Sequence, residues 1–67
     1  MQRDAMTVLK LAGFTREVTA EGGVYSLCLL VKPETDFDDC FRAWDIDAQE
    51  FIDVNGWLFE IEDAEAT

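Results

Sequence analysis

Histidine is absent from these 67 residues, and there are only one serine, one proline and two cysteines. Without histidine the chain lacks the side chain that most often moves protons near neutral pH. The sole serine, Ser26, sits inside an apolar run with no imidazole to activate it. Cys28 and Cys40 form neither a CxxC pair nor a metal-binding spacing. No basic residue adjoins them except Arg42, and without a secretion signal they read as reduced thiols serving as small buried apolar side chains. No glycine-rich phosphate loop is present, and Gly22-Gly23 alone marks a turn. Paired carboxylates of the glycosidase kind need a cleft that so short a chain hardly offers. The expectation is a protein that is not an enzyme and holds no cofactor.

Cations are scarce too. Five Lys and Arg, none clustered, argue against direct contact with nucleic acid or with an anionic membrane surface. No apolar run approaches the ~18 residues that a spanning helix needs. Lys10 interrupts the apolar stretch after Met1-Gln2-Arg3-Asp4, and no cleavage site follows. No signal peptide is expected.

What the chain has is acid. Fifteen Asp and Glu give a net charge of −10. The surplus is unevenly placed. Met1 to Pro33 holds three acids and four bases, a net of +1, whereas Glu34 to Thr67 holds twelve acids and one base, a net of −11. With 49% apolar residues the composition is that of a globular chain rather than a disordered one. A single domain of this size buries only ~60% of the surface its unfolded chain exposes, and homodimerisation would bury more.

Local patterns predict an α+β fold. Asp4 caps a helix over Ala5–Ala12, with Gly13 as the left-handed residue after it and Phe14 as the contact that follows. A strand is the rival for this segment. Phe14 to Ala20 alternates as a strand, Glu21-Gly22-Gly23 turns, and Val24 to Val31 is a central strand ended by Pro33. Phe37, Cys40, Phe41 and Trp44 are spaced for one face of a second helix, capped by Thr35 or Asp36, with Asp38 and Asp39 in its first turn. Asn55-Gly56 predicts a two-residue hairpin turn. That register puts Ile52, Val54, Trp57, Phe59 and Ile61 on one face and Phe51, Asp53, Leu58, Glu60 and Glu62 on the other. A helix capped by Asp47 and ended by Gly56 is the alternative. The expected order is helix, two strands, helix, two strands, with about four strands in a small antiparallel sheet and a frayed tail over 63–67.

Asp45, Asp47 and Gln49 resemble the first ligands of a calcium loop. However, Glu50 stands where the loop needs glycine and Gly56 where it needs a bidentate Glu, so no metal site is expected.

The stretch "ETDFDDCFRAWDID" carries six carboxylates against Arg42 alone. The candidate partner-binding residues are Glu34, Asp36, Asp38, Asp39, Asp45, Asp47, Glu50, Asp53, Glu60 and Glu62. Gathered on one side of a small domain, they would approach the charge density of duplex DNA, ~1 charge per 1.7 Å of axis. Such a face suits the basic channel of a nucleic-acid-binding protein, with salt-sensitive, electrostatically steered association. Phe51 and Leu58, on the polar face, are either exposed anchors or a second apolar layer under the first helix.

In length, charge and want of catalytic groups the whole chain resembles the small acidic inhibitors of phages, the anti-CRISPR proteins and other DNA mimics. The resemblance rests on no motif and carries over no residue. It implies a non-enzymatic inhibitor that binds a nucleic-acid-handling complex, such as a CRISPR effector, in the cytoplasm of a bacterial host. The alternatives are an antitoxin or assembly factor covering a basic partner, and an acidic surface with no such role.

Overall fold

The computed structural model describes residues 4–64. Helix α1 (Ala5–Leu11) is followed by strands β1 (Arg16–Gly22), β2 (Tyr25–Val31), β3 (Cys40–Asp45) and β4 (Glu50–Asn55). A single 3₁₀ turn, η1 (Gly56–Leu58), then leads into β5 (Glu60–Asp63). All pairings are antiparallel, and the sheet order is β4-β3-β2-β1-β5. Four strands run as a meander, and the fifth returns to pair with the first.

That connection requires the sheet to curl. In a flat sheet the four spacings from β4 to β5 would separate the edges by ~19 Å. The link from Asn55 to Glu60 passes through a 3₁₀ turn, which rises only ~2 Å per residue. Such a link reaches roughly 13 Å. The two edges therefore curve toward each other and enclose the inner face. Val18 and Ala20 of β1, Leu29 and Val31 of β2, and Ala43 of β3 are wholly buried there, with Phe41 and Val54 nearly so. Leu27, Phe37, Ile52, Phe59 and Ile61 close the same core. Each fully buried Val or Leu stabilises by roughly 1.5–3 kcal/mol.

α1 supplies a second, smaller layer. Its buried residue is Leu9, and Leu30, on the opposite side of β2 from Leu29 and Val31, is buried as well. Phe14, just after the helix, packs on Phe51 at 5.4 Å between ring centroids, and Phe51 meets Trp44 edge-on at 5.0 Å. Lys32 lies over the Phe14 ring and Arg42 over Phe51. The helix ends are as the sequence predicts. The Asp4 carboxylate accepts from the Thr7 backbone N–H at 2.8 Å, which holds its pKa below the usual value, and Gly13 has φ +102°.

Two expectations fail in informative ways. The predicted second helix is instead a loop and β3. Cys40, Arg42 and Trp44 point outward while Phe41 and Ala43 point into the core, so the residues also satisfy a two-residue period. Tertiary burial on both sides of the strand decided between the two periods. The Asn55-Gly56 hairpin does not form either. Asn55 ends β4, and its side chain accepts from the Trp57 backbone N–H to cap η1. Gly56 has no positive φ. A Cβ there would collide with the carbonyl oxygens of Phe37 and Asp39, so its role is close approach. The sheet is thus five-stranded with one α-helix, not four-stranded with two. The polarity sorting of 51–62 survives because η1 shifts the inward parity by one residue, from Ile52 and Val54 before it to Phe59 and Ile61 after it, except that Trp57 is exposed.

Smaller corrections follow. The β1–β2 turn is Gly23-Val24, with Gly23 at φ +60°, and Gly22 belongs to the strand. Cys28 is half-buried and Cys40 exposed, both as free thiols. Of the tail expected to fray, Asp63 pairs with Val18 in β5 and the Ala64 N–H donates to the Glu17 carbonyl. Residues 65–67, and Met1 to Arg3 at the other end, lie outside the described residues.

Candidate functional site

The sheet register sorts the acids into three groups. Glu34, Asp36, Asp38 and Asp39 lie in the β2–β3 loop, beside the start of β3. Asp45, Asp47 and Glu50 surround the β3–β4 turn, at the other end of β3. Asp53, Glu60 and Glu62 project from the outer side of the sheet, Asp53 on β4 at one edge and the two glutamates on β5 at the other. The ten candidates therefore occupy both ends and the outer face of the molecule, and do not gather on one side as the sequence reading expected, because loop position and strand register distribute them.

Several have local structural work. The Asp36 side chain accepts from the Asp38 N–H at 2.9 Å. The Asp45 side chain accepts from the N–H groups of Asp47 and Ala48, each at 3.1 Å. These are turn-forming contacts in which a short carboxylate replaces a backbone acceptor. The β3–β4 turn is completed by Gln49 at φ 57°. Asp53 faces Arg42 across β3–β4 at 3.7 Å, with both side chains largely exposed. Such a pair is worth ~0–1 kcal/mol. The side chains of Glu34, Asp38, Asp39, Asp47, Glu50, Glu60 and Glu62 make no hydrogen bond or ion pair among the described residues, and all seven are exposed.

Two further acids join the β5 group that the uneven charge of the sequence concealed. Glu21 lies directly opposite Glu60, and Glu62 lies opposite Thr19, two residues from both Glu17 and Glu21. Glu17, Glu21, Glu60 and Glu62 share the outer side of the β1–β5 ribbon. Only the pairing of residues some forty positions apart could have revealed this.

Arg16 provides the main clamp on the opposite side of β1. Its guanidinium donates to Asp63 at 2.7 Å and to the Pro33 carbonyl at 3.4 Å, and it lies 4.8 Å from the Phe37 ring centroid. The Arg16 hydrogen bond holds the Asp63 carboxyl below its usual pKa. This contact ties β1, β5 and the β2–β3 loop together.

An open cleft of about 600 Å³ lies between the β1–β2 turn and η1. Its walls include Glu21 and Glu60 together with Val24, Tyr25, Trp57 and Leu58. The Trp57 indole N–H donates to the Asp38 carbonyl, which fixes the ring beside the acidic loop. Of the two apolar side chains singled out from the sequence, Leu58 is exposed at this cleft. Phe51 belongs to the aromatic layer behind Phe14.

Among the described residues no cluster of metal-ligating side chains is present, and no helix is long and apolar enough to cross a membrane. Comparison with family models, with curated proteins and with solved structures produced no match.

Proposed function

We propose that this chain is a non-catalytic binding protein whose target is a basic surface on a nucleic-acid-handling protein, and that it inhibits by occupying that surface. The observation that carries the reading is the set of exposed carboxylates with no cation beside them. Seven of the ten candidates have no side-chain partner among the described residues, in a molecule of net charge −10. Carboxylates at both ends and on the outer face suit a basic channel that surrounds its ligand better than a flat patch. A channel built for a polyanion has that shape and sign.

The test is direct. Asp38, Asp39 and Asp47 are exposed, and their side chains hold no turn together. Replacing all three with Lys should leave the circular dichroism spectrum intact and abolish binding. The first target to assay is a CRISPR effector complex, on the resemblance in size and charge. Duplex DNA should compete with the chain for its target, and NaCl should weaken the complex steeply. Unchanged affinity after the triple reversal would overturn the reading. Binding that is salt-sensitive but indifferent to DNA would assign the chain instead to the proteins that cover a basic partner away from its nucleic-acid site.

A further inference from the structure

A small chain rarely leaves several large apolar side chains in water at one place without a use for them. Here Val24 is 93% exposed, Tyr25 65%, Trp57 67% and Leu58 68%, and all four border the same cleft. They arise from unconnected causes: a two-residue turn presents Val24 and Tyr25, and the 3₁₀ turn presents Trp57 and Leu58. What brings them together is close backbone approach. A Cβ on Gly22 would strike the Leu58 carbonyl and the Phe59 ring, so glycine there lets η1 lie against the β1–β2 hairpin. The indole N–H of Trp57 is already satisfied by the Asp38 carbonyl. Its ring is therefore held in place with two-thirds of its surface open, an anchor that loses little freedom when something binds.

The charges around the cleft are of one sign. Glu21 and Glu60 are cross-strand neighbours on its wall, and the Asp38 whose carbonyl holds Trp57 belongs to the acidic loop. Among the described residues no Lys or Arg lines the cleft. Aromatic faces beside carboxylates are the environment a guanidinium prefers, since it stacks on a ring and donates in parallel to a carboxylate. A lysine ammonium would gain the charge but not the planar stacking.

We infer that this cleft receives an arginine-bearing, partly apolar peptide segment of a protein partner, the guanidinium against Trp57 or Tyr25 and the pair Glu21–Glu60, and a neighbouring apolar side chain against Val24 and Leu58. The inference builds on the proposed basic partner and locates its anchor in residues other than the three acids whose reversal tests that proposal. Nucleic acid is the disfavoured occupant, because the carboxylates repel phosphate.

The experiment titrates the isotope-labelled full chain with a blocked peptide of alternating Arg and Leu. Controls replace Arg with Lys or with citrulline, or Leu with Ser. Saturable amide shifts are expected at Glu21 to Ser26 and Trp57 to Glu60, together with the Trp57 indole N–H. The citrulline peptide should bind at least tenfold more weakly, and the Lys peptide should fall between. Tyr25→Ser and Glu60→Gln should each weaken the Arg peptide by about fivefold or more while leaving the remaining spectrum in place. No saturable shift, equal binding of the citrulline peptide, or shifts confined to the Glu34–Asp39 loop or the Asp45–Glu50 turn would overturn the inference. The triple reversal of Asp38, Asp39 and Asp47 provides the separate control. If it abolishes partner binding while peptide binding fails in the unmodified chain, the acidic surface stands and the cleft assignment falls.

Discussion

Single residues in this chain often do something other than their pattern implies, and Gly56 is the clearest case. Asn-Gly signals a hairpin because both residues tolerate positive φ. Here Asn55 uses its side chain as a cap, and Gly56 lies against the carbonyls of Phe37 and Asp39. The difference is measurable. Gly56→Ala has no forbidden backbone angle to adopt, yet its methyl group must displace a loop. The expected destabilisation is ~2–3 kcal/mol by denaturant titration, at the upper end for an overpacked site. A loss below ~0.5 kcal/mol would mean that the loop yields freely. Gln49 is the converse, an ordinary side chain held at φ 57°. Asp63 gives a pH test. Its pKa in the folded protein lies below the ordinary 3.8, so its bond to Arg16 stabilises above that pH and is lost as pH falls through the lower folded value. Asp63→Asn should therefore lower Tm at pH 7, and the gap to the unmodified chain should narrow steadily below about pH 3.8. A gap that stays constant down to pH 2 would exclude the ion pair as its cause.

At the scale of elements, the parts legible in the sequence are those whose signals are local. α1 between Asp4 and Gly13, the alternation of β1 and the apolar run of β2 needed only neighbours in the chain. β3 did not. It lies between the inner core and the aromatic layer, so Phe41 faces one side and Trp44 the other. Their spacing with Phe37 and Cys40 imitates a helix. The acids of the β2–β3 loop deepened the ambiguity, because an aspartate that caps a helix also forms the turn seen at Asp36. The candidate site shows the same divide. That the acids are exposed followed from their type, but which of them meet was set by the return of β5 to β1. α1 itself is too short to persist alone and is held by Leu9 and the Phe14 contact. Its amides should exchange hydrogen through local opening, far faster than those of Leu29 to Val31 in β2. Leu9→Ala should cost ~2–4 kcal/mol and release the helix before the sheet melts. Equal protection of α1 and β2 would show instead that the two unfold as one unit.

For the molecule as a whole, charge and packing pull against each other. The wholly buried aliphatic side chains hold the curled sheet together, while the carboxylates around it, at net −10, repel one another most strongly in the compact state. Against this stand two ion pairs among the described residues, Arg16–Asp63 and Arg42–Asp53, of which the second is long and exposed. Repulsion should prevail, and salt separates the two. The screening length falls from ~30 Å at 0.01 M to ~3 Å at 1 M, which weakens many mid-range repulsions and leaves a 2.7 Å contact comparatively intact. NaCl raised from ~0.01 to ~0.5 M should therefore increase Tm. If screening returns ~1 kcal/mol, the rise is roughly 4–8 °C for a domain of this size. Binding to a basic partner should move in the opposite direction over the same range, because the field that destabilises the free molecule is the one that draws it to its target. A Tm that falls with added NaCl would show that the ion pairs outweigh the repulsion, and the surplus charge would then carry no folding cost for partner binding to relieve.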